Sequence, residues 1–206
     1  MEGFYFYWLG WIFWGIVTFF MPKTAPRAIT SVILLTILIF APLNWTFGSY
    51  TVSFGLFFLL ICFYAVVGRL PIKKLAYAIF VSLLIATVHV CIQAFIRMDP
   101  IILSVGPSLV QVVPSFILAV LLIRRSIRTV VLGIGMIHGE VMNQIRQASD
   151  WPVSIGSFVF WDLLALACAL SIGVSAMMYS IQWVEKRTIQ RYFRPKPIVN
   201  RIDKHA

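Results

Sequence analysis

Long apolar runs, separated by short polar connections, occupy almost all of this 206-residue chain. A helix needs about 20 mostly apolar residues to cross the hydrocarbon core of a bilayer. Seven stretches meet this requirement, at residues 3–21, 28–46, 50–67, 75–96, 100–123, 129–149 and 154–182. The connections between them are a few residues long and contain turn-forming or charged residues. The pattern predicts an all-α fold, a polytopic bundle of seven transmembrane helices with no soluble domain inserted.

The composition excludes several other classes of protein. Hydrophobic residues make up 61% of the chain and charged residues 12%, whereas a soluble domain is about 45–50% apolar and about 25% charged. A soluble globule, a nucleic-acid-binding domain and a disordered chain are therefore excluded for the chain as a whole. The net charge of +10 is better explained by orientation in a membrane, because the basic residues lie between the apolar runs.

The basic residues are distributed unevenly between the two sides that seven spans would create. Fifteen of the seventeen Lys and Arg residues lie in the connections after the first, third and fifth spans and in the C-terminal tail, and the other two are Arg97 and Arg146. Cytoplasmic loops of membrane proteins carry an excess of Lys and Arg. The chain is therefore predicted to have its N-terminus outside and its C-terminus in the cytoplasm.

The sixth stretch, 129–149, is the most polar of the seven. If it lay flat on the membrane, nine basic residues would be inside and eight outside, so the strong asymmetry of the seven-span arrangement favours spanning. A polar helix is tolerated in a bilayer only where its polar face is buried in protein or lines water.

Polar side chains at helical spacing predict a site among the fourth to seventh helices. Residues three or four positions apart share one face of a helix, and a rise of about 1.5 Å per residue places several of these groups between the membrane centre and its outer surface. The candidates are His89, Gln93, Gln111, Glu140, Asn143, Gln144 and Asp162. An ionisable group at the bilayer centre costs about 2.5–3.5 kcal/mol, so Glu140 and Asp162 require partners or water. Two interpretations stay open: an outward-facing ligand site, or a structural hydrogen-bond network.

Sequence motifs of enzymes and metal sites are absent from the chain, which lacks the GxSxG, HExxH, Walker A and GxGxxG patterns. His138 and Glu140 are two positions apart, and on a helix such side chains point about 200° away from each other. We therefore expect no enzymatic activity, no metal and no cofactor. The alternative is an intramembrane acid–base enzyme that uses Glu140 and Asp162.

Residues 1–183 are predicted to form the transmembrane domain and residues 184–206 a basic cytoplasmic tail beside the membrane. The tail contains seven Lys and Arg residues and two acidic residues. Each basic residue near anionic lipid contributes about 1 kcal/mol to binding. Contact with the inner leaflet is predicted for Lys186, Arg187, Arg191, Arg194 and Lys196. The expected partners are the bilayer with its anionic lipids and a second membrane protein, and no nucleic acid.

The opening sequence Met1-Glu2-Gly3-Phe4-Tyr5-Phe6-Tyr7-Trp8, the following Phe19-Phe20-Met21, the length and the basic tail resemble the YphA family of Bacillus-type membrane proteins. The resemblance implies the plasma membrane of a Gram-positive bacterium but no activity and no residue roles. The size is also similar to that of the substrate-binding subunits of energy-coupling vitamin transporters, which have six helices.

These features together predict a multi-pass plasma-membrane protein that acts without catalysis as a scaffold or accessory protein. The alternative is a protein that binds or transports a small ligand through an outward-opening polar site among helices four to seven.

The predicted topology can be tested with reporter fusions at the two termini. We expect the N-terminal reporter to be active only outside the cell and the C-terminal reporter only in the cytoplasm, because an odd number of spans separates them. If both reporters were active in the same compartment, the sixth stretch would not span the bilayer.

Overall fold

The computed structural model describes residues 2–98, 107–147 and 153–192. Most of these residues are helical, which confirms the predicted helical class, and each of the seven predicted stretches overlaps one helix. The helices are α1 (Phe4–Phe20), α2 (Ala25–Phe40), α3 (Phe54–Val67), α4 (Ile72–Met98), α5 (Pro107–Leu122), α6 (Arg125–Arg146) and α7 (Phe158–Tyr192). Three short strands accompany them, β1 (Asn44–Phe47), β2 (Tyr50–Ser53) and β3 (Val153–Ile155).

The small sheet is a departure from the all-α prediction. Strands β1 and β2 pair antiparallel, and β2 pairs parallel with β3, from a distant part of the chain. Gly48 has a φ of 56° in the two-residue connection between β1 and β2, a backbone conformation that glycine adopts without steric cost. Because β1 and β2 occupy the chain between the two helices, α2 ends at Phe40 and α3 begins at Phe54. Both helices are therefore shorter than the predicted spans.

Apolar helices present much of their surface outward. Within the part of the chain that the structure describes, two helical segments are long and apolar enough to cross a bilayer on their own, Ile72–Met98 and Phe158–Arg187, and four helices of 10–17 residues are also apolar. On α1, Phe19 is 76% exposed and Phe20 84% exposed. Soluble monomers rarely expose large contiguous apolar patches, so these surfaces are typical of contact with lipid.

The most polar helix, α6, is also the most enclosed. Eleven of its 22 residues are buried, and it packs against α3, α4 and α5. Its closest neighbour is α4, because Gly135 and Gly139 leave no side chain between the two backbones. A Cβ atom added at Gly135 would lie 2.8 Å from the Ser82 carbonyl oxygen, and one added at Gly139 would lie 3.0 Å from the Ala86 carbonyl oxygen. Small residues four positions apart allow this close approach between helices in membranes.

The chain packs as two units, Met1–Ile172 and Gly173–Ala206. The first unit contains α1–α6, the sheet and the beginning of α7. The second unit contains the rest of α7, where large side chains such as Met177 and Tyr179 are exposed. The predicted boundary between transmembrane domain and tail, at residues 183 and 184, lies within α7, which continues as one helix to Tyr192.

The close packing of α4 and α6 predicts that Gly135→Ala destabilises the protein. Because the added methyl would lie 2.8 Å from a backbone oxygen, the helices must separate, and overpacking of this kind costs about 1–3 kcal/mol. The measurement is the thermal unfolding midpoint of the purified protein in detergent.

Gly15→Ala is the matched control, because a Cβ added at Gly15 on α1 meets no atom within 4 Å. If Gly135→Ala unfolded at the same temperature as Gly15→Ala, the close contact between α4 and α6 would be contradicted.

Candidate functional site

Polar side chains of α4 and α6 face each other across the glycine contact. On α4 they recur every four residues, which places them one above another on a single face of the helix. The α4 residues are His89, Gln93 and Arg97, the α6 residues are Glu140, Asn143 and Gln144, and Gln147 directly follows α6. The close approach of the two backbones brings these two sets within hydrogen-bonding distance.

Gln93 is the centre of the resulting network. Its Nε2 donates to His89 Nε2 at 2.9 Å and to Glu140 Oε2 at 3.5 Å. Its Oε1 accepts a hydrogen bond from Asn143 Nδ2. The Oδ1 of Asn143 in turn accepts from the guanidinium of Arg97 at 3.0 Å. The bonds therefore form a continuous chain that crosses between α4 and α6 three times.

This chain of hydrogen bonds has one direction. A guanidinium only donates, and an amide donates through its nitrogen and accepts through its oxygen, so the bonds run from Arg97 through Asn143 and Gln93 to Glu140. His89 accepts at Nε2, which leaves the ring proton on Nδ1, and that buried atom has no partner among the described residues. Hydrogen bonds in a chain of this kind polarise one another where the local dielectric constant is low.

Glu140 is held on both carboxylate oxygens by neutral amides. Gln144 Nε2 donates to Oε1 at 2.8 Å, and Gln93 donates to Oε2. The side chain of Glu140 is only 3% exposed. A buried polar group that keeps its hydrogen bonds avoids part of the cost of leaving water, so these two bonds reduce the cost of burying the carboxyl group of Glu140.

A polar cavity lies beside the network. Its volume is about 170 Å³, and eight of its eleven lining residues are polar. The lining consists of Gln93, Arg97, Gln111, Glu140, Asn143, Gln144, Gln147, Ser157, Val159, Phe160 and Leu163. A polar cavity needs about 10–15 Å³ to hold one water molecule, so this one has room for several waters or for a small polar solute.

The structure brings six of the seven predicted residues together, either in the network or in the cavity wall. They are His89, Gln93, Gln111, Glu140, Asn143 and Gln144. Sequence reasoning left Arg97 out of the site, although its position four residues after Gln93 on the same helix is the signal that identifies it. It also left out Ser157, which precedes α7 and offers no periodic signal.

Asp162, the seventh predicted residue, is held elsewhere. Its two carboxylate oxygens accept hydrogen bonds from the backbone nitrogens of Gly3 and Phe6, each at 2.8 Å. The first N–H groups of a helix have no partner within the helix, and they carry the positive end of its dipole. Asp162 therefore caps α1, and it is not among the described residues that line the cavity. The spacing of Asp162 relative to the small residues of α7 indicates that it lies on a buried face. The spacing does not indicate which helix packs against that face.

His138 and Glu140 face different neighbours, as their spacing predicts. His138 Nε2 lies 2.8 Å from the hydroxyl of Tyr64 on α3, whereas Glu140 bonds to α4. Within residues 2–98, 107–147 and 153–192, no three His, Cys, Asp or Glu side chains are grouped as metal ligands.

The residues predicted to contact the inner leaflet lie at or beyond the end of α7. Lys186 and Arg187 are exposed on α7, and the Arg187 guanidinium lies 3.8 Å from the centre of the Trp183 ring. Arg191 belongs to the last turn of α7, while Arg194 and Lys196 lie outside the described residues. Contact of these residues with anionic lipid stays a prediction.

Comparison with known proteins identifies relatives over almost the whole chain. The sequence model of the YphA-like integral membrane protein family matches residues 2–197, which confirms the resemblance drawn from the N-terminal helix. The uncharacterized protein YphA of Bacillus subtilis (strain 168) is 28% identical over 178 residues, which cover 85% of this chain and 88% of that protein. No solved structure matches the chain.

Removal of the α1 cap is predicted to destabilise the docking of α1. Asp162→Ala deletes both acceptors for Gly3 and Phe6, and loss of a helix cap costs about 0.5–2 kcal/mol. Asp162→Asn retains one acceptor and loses the charge, so we expect a smaller decrease. The measurement is the unfolding midpoint of the purified protein.

Glu2→Gln is the control, because Glu2 is an exposed acid beside the same helix end. An Asp162→Ala protein as stable as the Glu2→Gln protein would show that these two hydrogen bonds do not hold α1.

Proposed function

Because the chain belongs to the family of YphA-like integral membrane proteins, we propose that it crosses the plasma membrane seven times with its N-terminus outside. The relative from Bacillus subtilis associates the family with the membrane of a Gram-positive bacterium. Two features support seven spans and this orientation. The first is the concentration of Lys and Arg on one side of such an arrangement, and the second is the enclosure of the polar face of α6 by its neighbours.

We further propose that the protein binds a small polar solute in the cavity beside the α4–α6 network, without catalysing a reaction. The observation that carries this proposal is the cavity of about 170 Å³, which eight polar residues line. Small-molecule sites are concave and contain a few convergent polar groups, and in helical bundles they lie between helices. A guanidinium at one end of the network and a carboxylate at the other offer opposite charges to a solute that carries both donors and acceptors.

The position of the cavity supports an opening toward the outside. Arg97 lies at the end of α4, Gln147 directly follows α6, and Ser157 directly precedes α7. In the proposed orientation these three helix ends lie at the outer surface of the membrane. A solute would therefore reach the site from the cell exterior without crossing the apolar centre of the bilayer.

A scaffold or accessory role is the second candidate. It is favoured because the hydrogen bonds of Glu140 are made within the protein itself. Both oxygens of Glu140 are satisfied by Gln93 and Gln144, so the network is stable without a ligand. Under this proposal the polar residues only join α4 to α6, and another membrane protein would be the partner.

Cysteine labelling distinguishes the two candidates. In a background without native cysteines, Gln111→Cys places a thiol in the cavity wall, and Ile117→Cys places one at a position in the middle of the same helix that is 49% exposed. We expect a water-soluble, membrane-impermeant thiol reagent added outside the cell to modify Gln111→Cys, because water fills a polar cavity, but to leave Ile117→Cys unmodified in lipid.

Bound solute should then protect Gln111→Cys from the reagent. The probes are glycine, glycerol, urea and acetate, all small enough for the cavity. A solute that slows labelling of Gln111→Cys should no longer do so when Glu140→Gln is present as a second substitution. Thr87→Val is the control for that second change, because Thr87 is an exposed residue of α4 that bonds only within its own helix, to Leu83. Failure of the reagent to reach Gln111→Cys would refute the outward-opening site and favour the scaffold.

A further inference from the structure

The connection between α5 and α6 concentrates positive charge at the start of a helix. Arg124, Arg125 and Arg128 lie within five residues, and the first turn of α6 contains no acidic residue. Arg124 occupies the N-cap position without a capping hydrogen bond from its side chain. The positive end of a helix dipole favours anions and disfavours cations, so arginines at this helix end favour the binding of an anion there.

Arg128 is buried there without sufficient partners. The residue is only 5% exposed, and its Nη2 donates to the Ile123 carbonyl oxygen at 3.5 Å. This contact turns the guanidinium back toward the beginning of α6. Its Nε and Nη1 are buried and have no hydrogen-bond partner among the described residues. Burial of a charge without a partner is strongly unfavourable, so these two donors indicate a ligand that supplies acceptor oxygens and negative charge.

We propose that Arg128, together with Arg124 and the start of α6, binds a phosphate group of the kind carried by anionic phospholipid headgroups. Adjacent N–H donors of a guanidinium match two oxygens of a phosphate, and the beginning of a helix is itself favourable for phosphate. The connection follows the apolar helix segment Leu109–Leu122, so it lies where a lipid-embedded helix reaches the headgroup layer. This site is separate from the polar cavity and does not depend on the proposed solute binding, but it rests on the proposed spanning of the membrane by α5.

The test measures phosphatidylglycerol binding to the purified full-length protein in neutral detergent, by native mass spectrometry and by the unfolding midpoint. Phosphatidylcholine and inorganic phosphate are added in parallel. We expect phosphatidylglycerol to raise the midpoint of the unmodified protein and phosphatidylcholine not to do so. Arg128→Gln should weaken phosphatidylglycerol binding at least about tenfold, since it removes charge-assisted hydrogen bonds. Arg69→Gln, an exposed arginine in the connection between α3 and α4, should leave binding unchanged.

The lipid-free midpoint separates binding from a purely structural role. Without lipid, Arg128→Gln should unfold at or above the temperature of the unmodified protein, because it removes an uncompensated buried charge, whereas a structural arginine would show a decrease. Inorganic phosphate could also stabilise the protein as much as the lipid does, and only when Arg128 is present. That result would support the same phosphate site, with free phosphate and not a lipid as the ligand.

Unchanged phosphatidylglycerol binding by Arg128→Gln would overturn the proposal. If that variant does not fold, Arg124→Gln provides the same test, because Arg124 is exposed at the N-cap. Binding by Arg124→Gln equal to that of Arg69→Gln would then refute the site.

Discussion

The structure depends on the enclosure of the polar face of α6 by its neighbouring helices. Backbone and side-chain polar groups have no water to bond with inside a bilayer, so every such group requires a partner within the protein. The contact of Gly135 and Gly139 with α4 supplies that partner surface, because it brings the amides of α4 within reach of Glu140 and Asn143. The same contact that encloses α6 therefore also builds the hydrogen-bond network and one wall of the cavity.

Helical periodicity is sufficient to predict most of the site. The spacing of His89 and Gln93 on α4, and of Glu140 and Asn143 on α6, identifies which face of each helix is polar. Apolar surroundings offer no hydrogen-bond partners, so two polar faces in such surroundings bond to each other. The association of α4 with α6 can therefore be expected from the sequence. For the same reason the helical class and the approximate position of each helix could be predicted from the apolar runs alone.

Contacts between distant parts of the chain could not be predicted in this way. Periodicity shows that Asp162 lies on a buried face but does not show that its partner is the start of α1. Most of β1 falls at the end of the predicted span 28–46 and all of β2 at the beginning of the predicted span 50–67, because their aromatic and β-branched residues also satisfy the hydropathy of a helix. Gly48 and Ser49 mark the turn between β1 and β2, but the pairing of β2 with β3 joins segments about a hundred residues apart and has no local signal.

The capping of α1 by Asp162 has a consequence for biogenesis. The capped amides and the carboxylate are separated by 159 and 156 positions, so α1 emerges from the ribosome long before its cap is made. At a synthesis rate of about 5–20 residues per second this delay is roughly 8–32 s. In the proposed topology α1 spends that time in the bilayer with its leading N–H groups near the headgroups, where water satisfies them. The start of α1 is therefore fixed only after the beginning of α7 has been made, although α1 can pack against α2 much earlier.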